Sequence, residues 1–256
     1  MTSTDALAQE VFAGFGVAVL VFLRVGAAMA VLPALGEQSL SVRIRLVAAL
    51  ALTAIVFPAV AGRFDWPGLS PAVLVLALAT ETVAGLFLGL SLRLFILAIQ
   101  TAGAIAAQST SLSQIMGTAG ADPLPAIGHI LTVSALALLL SVGFHVKAAG
   151  FLILTYEILP PLRFPDAAAL SAAGADRVAR SFALAFSLAA PFVLLSVLYN
   201  LTLGAINKAM PQLMVAFVGA PLITFGSIAL LFLAAPVILQ AWHTAFNAFL
   251  ANPFGN

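Results

Sequence analysis

The sequence contains no cysteine and very few charged residues. Without cysteine the chain cannot use a thiol nucleophile, a disulfide framework or a cysteine-ligated metal. Charged residues make up 7% of the 256 residues, whereas about a quarter of the residues in soluble domains are charged. The net charge is only +1, so the chain has no basic field that could hold nucleic acid. These absences argue against a soluble domain and against a nucleic-acid-binding protein.

Hydrophobic residues dominate the chain, at 63% with a mean hydropathy of +1.17. They form long runs without the apolar and polar alternation of a membrane β-barrel strand. In hydrocarbon the backbone polar groups must be satisfied within the segment, which favours helices. The sequence therefore predicts an all-α membrane protein. The apolar runs cover residues 11–32, 46–61, 69–107, 127–160, 182–203 and 213–250.

The lengths of these runs do not match simple membrane spans, which need about 20 residues. Runs 69–107 and 213–250 are about twice too long, and run 46–61 is somewhat short. We therefore expect the long runs to be helical hairpins, or kinked helices that extend beyond the bilayer core. Glycine and proline weaken helix interiors. Candidate break points are Gly85, Gly89, Gly219, Pro221, Gly226 and Pro236.

Only two polar connections separate the runs clearly. Residues 62–71 predict a turn, and residues 161–181 form the longest polar connection. Neither resembles a soluble domain, so we expect one all-α domain over residues 1–256. Arginines near residues 43–45 and in the 161–181 connection favour a cytoplasmic position under the positive-inside rule. The number of spans between them stays open, and so does the orientation.

Five charged residues fall within or near the apolar runs, namely Arg24, Glu81, Arg93, Lys147 and Glu157. A lone charge at the centre of a membrane helix costs about 2.5–3.5 kcal/mol on insertion scales, so such residues usually have partners. We expect Glu81 to form a structural ion pair with Arg24 or Arg93. The alternative is a proton-relay carboxylate, although a relay normally needs a chain of titratable groups.

Motifs of catalysis are absent from the sequence. It has no G-x-S-x-G elbow, no H-E-x-x-H pair and no G-x-x-x-x-G-K-[ST] loop,. His145 and Lys147 could form an acid–base pair, but polar residues at a helix end are the more common explanation. We therefore predict a protein that is not an enzyme and that uses no cofactor and no metal.

Small residues are concentrated in three segments, at 26–30, 101–111 and 171–175. In membrane helices such surfaces let two backbones approach closely. Packing within the chain is one explanation for the first two segments. Because the helices are apolar on nearly every face, they also need lipid or other subunits around them.

Two segments resemble the FliR family of flagellar export-gate proteins and its relatives in virulence type III secretion. They are RVGAAMAVLPALGEQSLSVRIRLVAALALTAIVFPAV at 24–60 and LYNLTLGAINKAMPQLMVAFVGAPL at 198–222. The second is the more specific, because N-[KR]-x-x-P-Q followed by G-x-P within an apolar run is rare by chance. The family often has Arg at position 208 and Phe at position 220, where this chain has Lys and Ala. The motif residues are Asn200, Asn207, Lys208, Pro211, Gln212, Gly219 and Pro221.

The resemblance implies a fold and a role. FliR-like proteins are all-helical subunits of an export gate, in which one such chain joins several FliP and FliQ copies in a helical, pore-forming assembly. Unfolded flagellar subunits are thought to pass through its centre, and FlhB and FlhA contact it from the cytoplasmic side. The resemblance therefore implies a subunit of the bacterial inner membrane, within the flagellar basal body and surrounded by membrane lipid.

The resemblance also implies a role for the stretch SLSQIMGTAGADPLP at 111–125. In this family the chain between the middle helices projects a loop into the pore and helps to plug it. Methionine is a flexible apolar residue, and glycine permits unusual backbone angles. A plain connecting loop is the alternative. The implied plug residues are Leu112, Ser113, Gln114, Ile115, Met116, Gly117, Thr118, Ala119 and Gly120.

Other functional classes remain as alternatives. A small-solute secondary transporter could bind its substrate at helices broken by glycine or proline. Such a transporter should contain an internal repeat, and the two halves of this sequence show no convincing one. A membrane-embedded enzyme would need clustered His, Asp or Glu, which the sequence lacks. Flagellar as against virulence use also stays open.

Overall fold

The structure is a computed structural model that describes residues 3–63, 70–110, 126–210 and 215–253. Within these ranges the secondary structure is helical, which confirms the predicted all-α class. The helices are α1 Ser3–Met29, α2 Val42–Ala61, α3 Pro71–Thr110, α4 Ala126–Ser141, α5 Phe144–Ile158, α6 Ala167–Ala209 and α7 Val215–Ala251.

Four of these helices are long and apolar enough to cross a membrane, namely α2, α3, α6 and α7. The bent pair of α4 and α5 gives a fifth span if the two helices are counted together. A bilayer core of about 30 Å needs about 20 residues of helix. The chain therefore has the composition and helix lengths of a membrane protein.

The two over-long runs are not hairpins. Helix α3 continues for 40 residues and α7 for 37. Gly85 and Gly89 lie inside α3, and Pro221 lies inside α7. A glycine costs only about 0.5–1 kcal/mol within a helix, which the many surrounding Ala and Leu residues can offset. Helix formation therefore continues past the length that the bilayer alone would require.

Helix α2 begins earlier than its apolar run. Ser41 precedes the helix, and its side-chain oxygen accepts a hydrogen bond from the backbone N–H of Ile44 at 3.4 Å. This cap satisfies one of the free N–H groups of the first turn. The helix thereby reaches 20 residues, so the run that seemed short from its sequence is long enough to span.

A break in the run 127–160 was not among the predicted break points. Helices α4 and α5 meet there at an angle of 76°. Gly143 has a backbone φ of 74°, in the left-handed region that glycine adopts at low cost. This left-handed residue lies at the change of direction, directly before α5.

The predicted polar connection at 161–181 is mostly helical, because α6 begins at Ala167. The Asp166 carboxylate accepts hydrogen bonds from the N–H groups of Ala168 at 2.7 Å and Ala169 at 3.3 Å, as an N-cap residue does. The segment that follows is rich in alanine, the best helix former. The polar composition therefore marks an exposed helix rather than a loop.

The chain divides into two compact units. One comprises Met1–Leu94, Leu139–Arg177 and Leu250–Asn256, and the other comprises Phe95–Leu138 and Val178–Phe249. The boundaries fall within helices α3, α4, α6 and α7 rather than in loops. Each unit has its own apolar core.

The second unit is centred on aromatic residues. Trp242 and Phe246 of α7 are fully buried and stack at 5.6 Å between ring centroids. The indole N–H of Trp242 donates to the backbone oxygen of Phe95 at 2.7 Å. Phe95 also meets Phe246 edge to face at 5.3 Å. These contacts fix α7 against the C-terminal part of α3.

Candidate functional site

A buried ion pair joins α1 and α3 within the first unit. The Arg24 Nε lies 2.7 Å from the Glu81 Oε2, and each side chain is only 1% exposed. The two residues were expected to find partners because each lies on an apolar helix, where a lone charge is costly. The structure brings these two together.

The second carboxylate oxygen of Glu81 is also engaged. Its Oε1 accepts a hydrogen bond from the backbone N–H of Leu162 at 2.9 Å, and the Thr80 hydroxyl lies 3.4 Å away. Leu162 has a φ of 61°, which costs a residue with a Cβ about 1–2 kcal/mol. The hydrogen bond to Glu81 helps to hold the connection between α5 and α6 in this strained conformation.

The Arg24 guanidinium has further contacts with α5. Its Nη1 donates to the backbone oxygen of Thr155 at 3.5 Å, and its Cζ lies 3.9 Å from the centre of the Tyr156 ring. Such cation–π contacts are favourable when the cation is desolvated. The ion pair therefore ties α1, α3, α5 and the connection to α6 into one polar cluster within an apolar unit.

Glycines of α3 allow α1 to approach this cluster closely. A Cβ on Gly85 would collide with the backbone oxygen of Arg24, and one on Gly89 would lie 2.6 Å from the oxygen of Ala28. Ala28 belongs to the small-residue segment 26–30 of α1. Gly85 and Gly89 are therefore packing positions and not break points, and segment 26–30 packs within the chain.

A second small-residue contact lies in the other unit. A Cβ on Gly103 of α3 would collide with the Cα of Gly128 in α4. Gly103 belongs to the segment 101–111. Close backbone approach between membrane helices depends on such residues, so this segment also packs within the chain.

Arg93 does not pair with Glu81. Its Nη1 binds the Glu37 Oε1, in a pair whose side chains are 25% and 18% exposed. Sequence reasoning missed Glu37, since it lies in the segment between α1 and α2 and not in an apolar run. The pairing of Glu37 with Arg93 could not be recognised from neighbouring residues in the sequence, because the two are 56 residues apart.

Arg177 of α6 was also missed as a structural residue. Its guanidinium donates to the Ser91 hydroxyl and to the backbone oxygen of Pro253 at 3.0 Å. It also lies over the Phe87 ring at 4.4 Å. These contacts fix α6 and the C-terminal segment on the middle of α3.

Three of the motif residues lie near the end of α6. Asn200, Asn207 and Lys208 are all exposed. The Asn200 side chain donates to the Ser196 hydroxyl at 3.3 Å. Gly219 and Pro221 lie within α7, whereas Pro211 and Gln212 lie outside the described residues. The implied plug at 112–120 also lies outside them.

Large apolar side chains cover the outer faces of the second unit. On α6, Leu198 and Leu201 are 64% and 66% exposed. On α7, Phe225, Phe232 and Leu233 are between 71% and 82% exposed. Large apolar side chains that are exposed in such numbers indicate contact with lipid or with a protein partner. We refer to these five residues as the outer apolar surface.

The described residues offer little for metal binding or acid–base chemistry. In these four ranges, no group of three His, Cys, Asp or Glu residues could hold a metal ion. His145 and Lys147 are exposed in the first turn of α5.

These features define an all-α membrane protein with internal ion pairs and exposed apolar helices. Residues 15–249 match the family of bacterial export proteins, family 1. Because the match covers most of the chain, the chain belongs to this family. It is a membrane-embedded component of bacterial protein export.

Curated relatives agree with this assignment. The flagellar biosynthetic protein FliR of Caulobacter vibrioides is 33% identical over 239 residues, covering 91% of this chain and 94% of the relative. The FliR protein of Escherichia coli is 30% identical, covering 88% of this chain and 86% of the relative. That of Bacillus subtilis is 27% identical, covering 89% of both chains. The resemblance to the FliR family is thereby confirmed.

Proposed function

We propose that this chain is a non-enzymatic subunit of the flagellar type III protein export gate. In that role it lines and plugs the channel through which unfolded flagellar subunits are exported. The observation that carries the proposal is the outer apolar surface on helices that exceed the thickness of a bilayer. The family assignment and the flagellar relatives support it.

The first argument for the proposal is the length of helices α6 and α7. Helix α6 has 43 residues and α7 has 37, which corresponds to about 65 and 55 Å at 1.5 Å per residue. The hydrocarbon core is only about 30 Å thick. A large part of each helix must therefore tilt strongly or extend beyond the lipid.

The second argument for the proposal is the exposed apolar surface in the last part of α6. Exposed apolar residues continue into the last part of α6, where Leu201 is 66% exposed, and Met210, the residue that follows the helix, is 56% exposed. Apolar surface that leaves the lipid needs a protein partner. Neighbouring gate subunits, which bear their own apolar helices, are the partners that this surface suits.

The proposed partners follow from the family. FliP-like and FliQ-like subunits surround the chain in the gate, which lies in the bacterial inner membrane at the flagellar basal body. FlhB and FlhA contact it from the cytoplasmic side. The chain acts as one export-gate domain over residues 1–256. This is supported by the continuous helices at the boundaries of its two compact units.

The proposed plug is the segment Leu112–Gly120, for which the support comes from the sequence. It follows α3 and precedes α4, the middle of the seven helices. Leu112, Ile115 and Met116 supply apolar bulk. A hydrophobic constriction can close a pore by excluding water.

Co-purification tests the proposed assembly. Replacing Leu198 and Leu201 together by Gln should at least halve the recovery of FliP-like and FliQ-like subunits with the tagged chain, because the polar amides remove apolar contact. The Leu198→Met and Leu201→Met pair keeps the apolar surface and is the matched control. Secretion of a flagellar subunit should fall in parallel with assembly.

Two results would overturn this proposal. One is unchanged assembly and unchanged secretion with the Gln pair at a normal level of membrane-inserted chain. The other is a monodisperse, thermally stable monomer from expression of the chain alone. A chain that needs its partners should instead aggregate or be degraded without them.

A further inference from the structure

A cavity of about 400 Å³ lies in the first unit, between α3 and the connection from α5 to α6. The end of α5, this connection and the first two turns of α6 form most of its wall. Proteins hold whole ligands in cavities of about 300–1,000 Å³, so this one can take several apolar side chains. Its apolar lining includes Phe87, Ile158, Leu159, Pro160, Phe164 and Leu170.

The wall formed by residues 159–165 is held in a fixed shape. Its sequence is LPPLRFP, and each proline restricts its own φ. The backbone N–H of Leu162 donates to the buried Glu81 carboxylate at 2.9 Å, and Asp166 caps α6 directly after the connection. A binding surface that is already ordered loses less conformational entropy when a partner binds.

Apolar surface continues from the cavity to the outside of the protein. Phe164 is 61% exposed and Ile158 is 39% exposed. Exposed aromatic side chains beside a pocket are typical of protein interfaces, where aromatic residues and arginine are enriched. The cavity therefore has the composition of an interface centre rather than of an internal packing defect.

The small-residue segment 171–175 lies in α6 next to this cavity. Segments 26–30 and 101–111 pack tightly within the chain, but segment 171–175 does not. A Cβ on Gly174 would lie 3.9 Å from Phe87, which is an ordinary contact distance, and Ala172 and Ala175 are exposed. Because the side chains at a contact set the distance between packed helices, this face of α6 allows a second helix to approach closely.

Arg163 supplies a cation beside the cavity without a partner inside the chain. It lines the cavity and is exposed. Within the part of the chain that the structure describes, it forms neither an ion pair nor a hydrogen bond. The Asp166 carboxylate also lines the cavity, but it accepts hydrogen bonds from the N–H groups of Ala168 and Ala169. A carboxylate from outside the chain would complement the charge of Arg163.

We propose that this cavity is a docking surface for a helix of a partner protein, whose apolar side chains enter the cavity while a neighbouring carboxylate pairs with Arg163. A small metabolite suits the cavity less, because ligand sites place several polar groups around the ligand. Among the described residues that line it, only Arg163 and Asp166 have polar side chains. The docking surface is separate from the outer apolar surface, and the proposal does not depend on the role in export.

Photo-crosslinking of the full chain in cells tests the docking surface, with p-benzoylphenylalanine in place of Phe164. After irradiation, mass spectrometry identifies the crosslinked peptide. We expect an apolar helical segment with Asp or Glu within about one helical turn of the crosslinked residue. Arg163→Glu should lower the crosslink yield by roughly fivefold or more, since like charges at an interface repel. Replacing the partner's carboxylate by Lys should restore the yield with Arg163→Glu.

Three controls separate docking from folding. Arg163→Lys keeps the charge and should keep most of the yield. Arg43→Glu changes an exposed arginine of α2 that does not line the cavity, and it should leave the yield unchanged. The same crosslinker in place of Phe186, which is also 61% exposed but lies in the second unit, should give a yield that Arg163→Glu does not alter.

A second variant tests the cavity without changing a charge. Ala173 lines the cavity, so Ala173→Phe should fill part of it and lower the yield at position 164 while the yield at position 186 persists. The proposal is overturned by an unchanged yield in both Arg163→Glu and Ala173→Phe, or by a crosslinked peptide without a nearby acidic residue. Labelling of lipid instead of a peptide would assign the cavity to acyl chains and would also overturn it.

Discussion

The backbone oxygen of Arg24 occupies the space where a Cβ atom of Gly85 would have to lie. The close approach of α1 and α3 therefore requires a residue without a side chain at position 85. The same residue, Arg24, carries the buried side-chain pair with Glu81. Backbone proximity and charge pairing are thus consequences of one helix crossing.

We expect Gly85→Ala to destabilise the protein by about 1–3 kcal/mol, the usual cost of overpacking. The added methyl group would push the helix backbones apart. Gly150→Ala is the control, because a Cβ there meets nothing within 4 Å, and it should be neutral or slightly stabilising. Thermal unfolding in detergent measures both, and equal melting temperatures would contradict the crossing.

Glu81→Gln should lower the yield of assembled complex while export per assembled complex stays nearly intact. Removing one member of a buried pair costs about 3–5 kcal/mol, since the other charge is left buried. Quantifying the assembled gate and the secretion of a flagellar subunit in the same cells separates the two effects. Normal assembly with abolished export would instead favour the proton-relay alternative.

The Arg24–Glu81, Arg93–Glu37 and Arg63–Glu157 ion pairs should differ in importance according to their burial. The Arg24–Glu81 pair is 1% exposed on both sides, whereas Arg63 and Glu157 are 47% and 57% exposed. Exposed pairs contribute about 0–1 kcal/mol. The loss in free energy of unfolding should therefore be largest in Glu81→Gln, intermediate in Glu37→Gln and smallest in Glu157→Gln. Any other order would contradict burial as the reason for the difference between the pairs.

Deleting Ser113–Gly120 should leave assembly largely intact and make the membrane leaky to small ions. A pore wide enough for an unfolded chain also passes ions unless a hydrophobic constriction closes it. Replacing Ile115 and Met116 by Ala should give a weaker leak. Ion conductance in cells with the assembled variant is the measurement, and a deletion variant as tight as wild type would leave the segment an ordinary connector.

The sequence predicted the helical class well because hydrocarbon requires backbone groups to be satisfied within a segment. The lengths of the helices were less predictable. For 69–107 the sequence left two expectations, a hairpin or a kinked helix that extends beyond the bilayer core. The hairpin assumed that helices end where the bilayer ends, yet α3 runs on as one helix to Thr110. Nothing in helix formation itself limits a run of Ala and Leu to one bilayer thickness.

The polar cluster could be predicted only in part. The free-energy cost of a lone charge within a membrane helix was the only indication that Arg24, Glu81 and Arg93 need partners. Which residue pairs with which depends on helix packing, and the sequence does not show that packing. The Arg93–Glu37 pair could not be predicted, because Glu37 lies outside every apolar run. Gly143 was missed for a similar reason, since a left-handed glycine within an apolar run has no distinctive neighbours.

The distance between Arg24 and Glu81 along the chain has a consequence for synthesis. The two residues are 57 positions apart, so at roughly 5–20 residues per second the arginine leaves the ribosome about 3 to 11 seconds before its partner. During that interval α1 carries a charge that lipid disfavours. We therefore expect α1 to remain beside the insertion machinery until α3 arrives. Crosslinking of ribosome-arrested chains, ending before or after α3, would detect this order, and early release of α1 into lipid would contradict it.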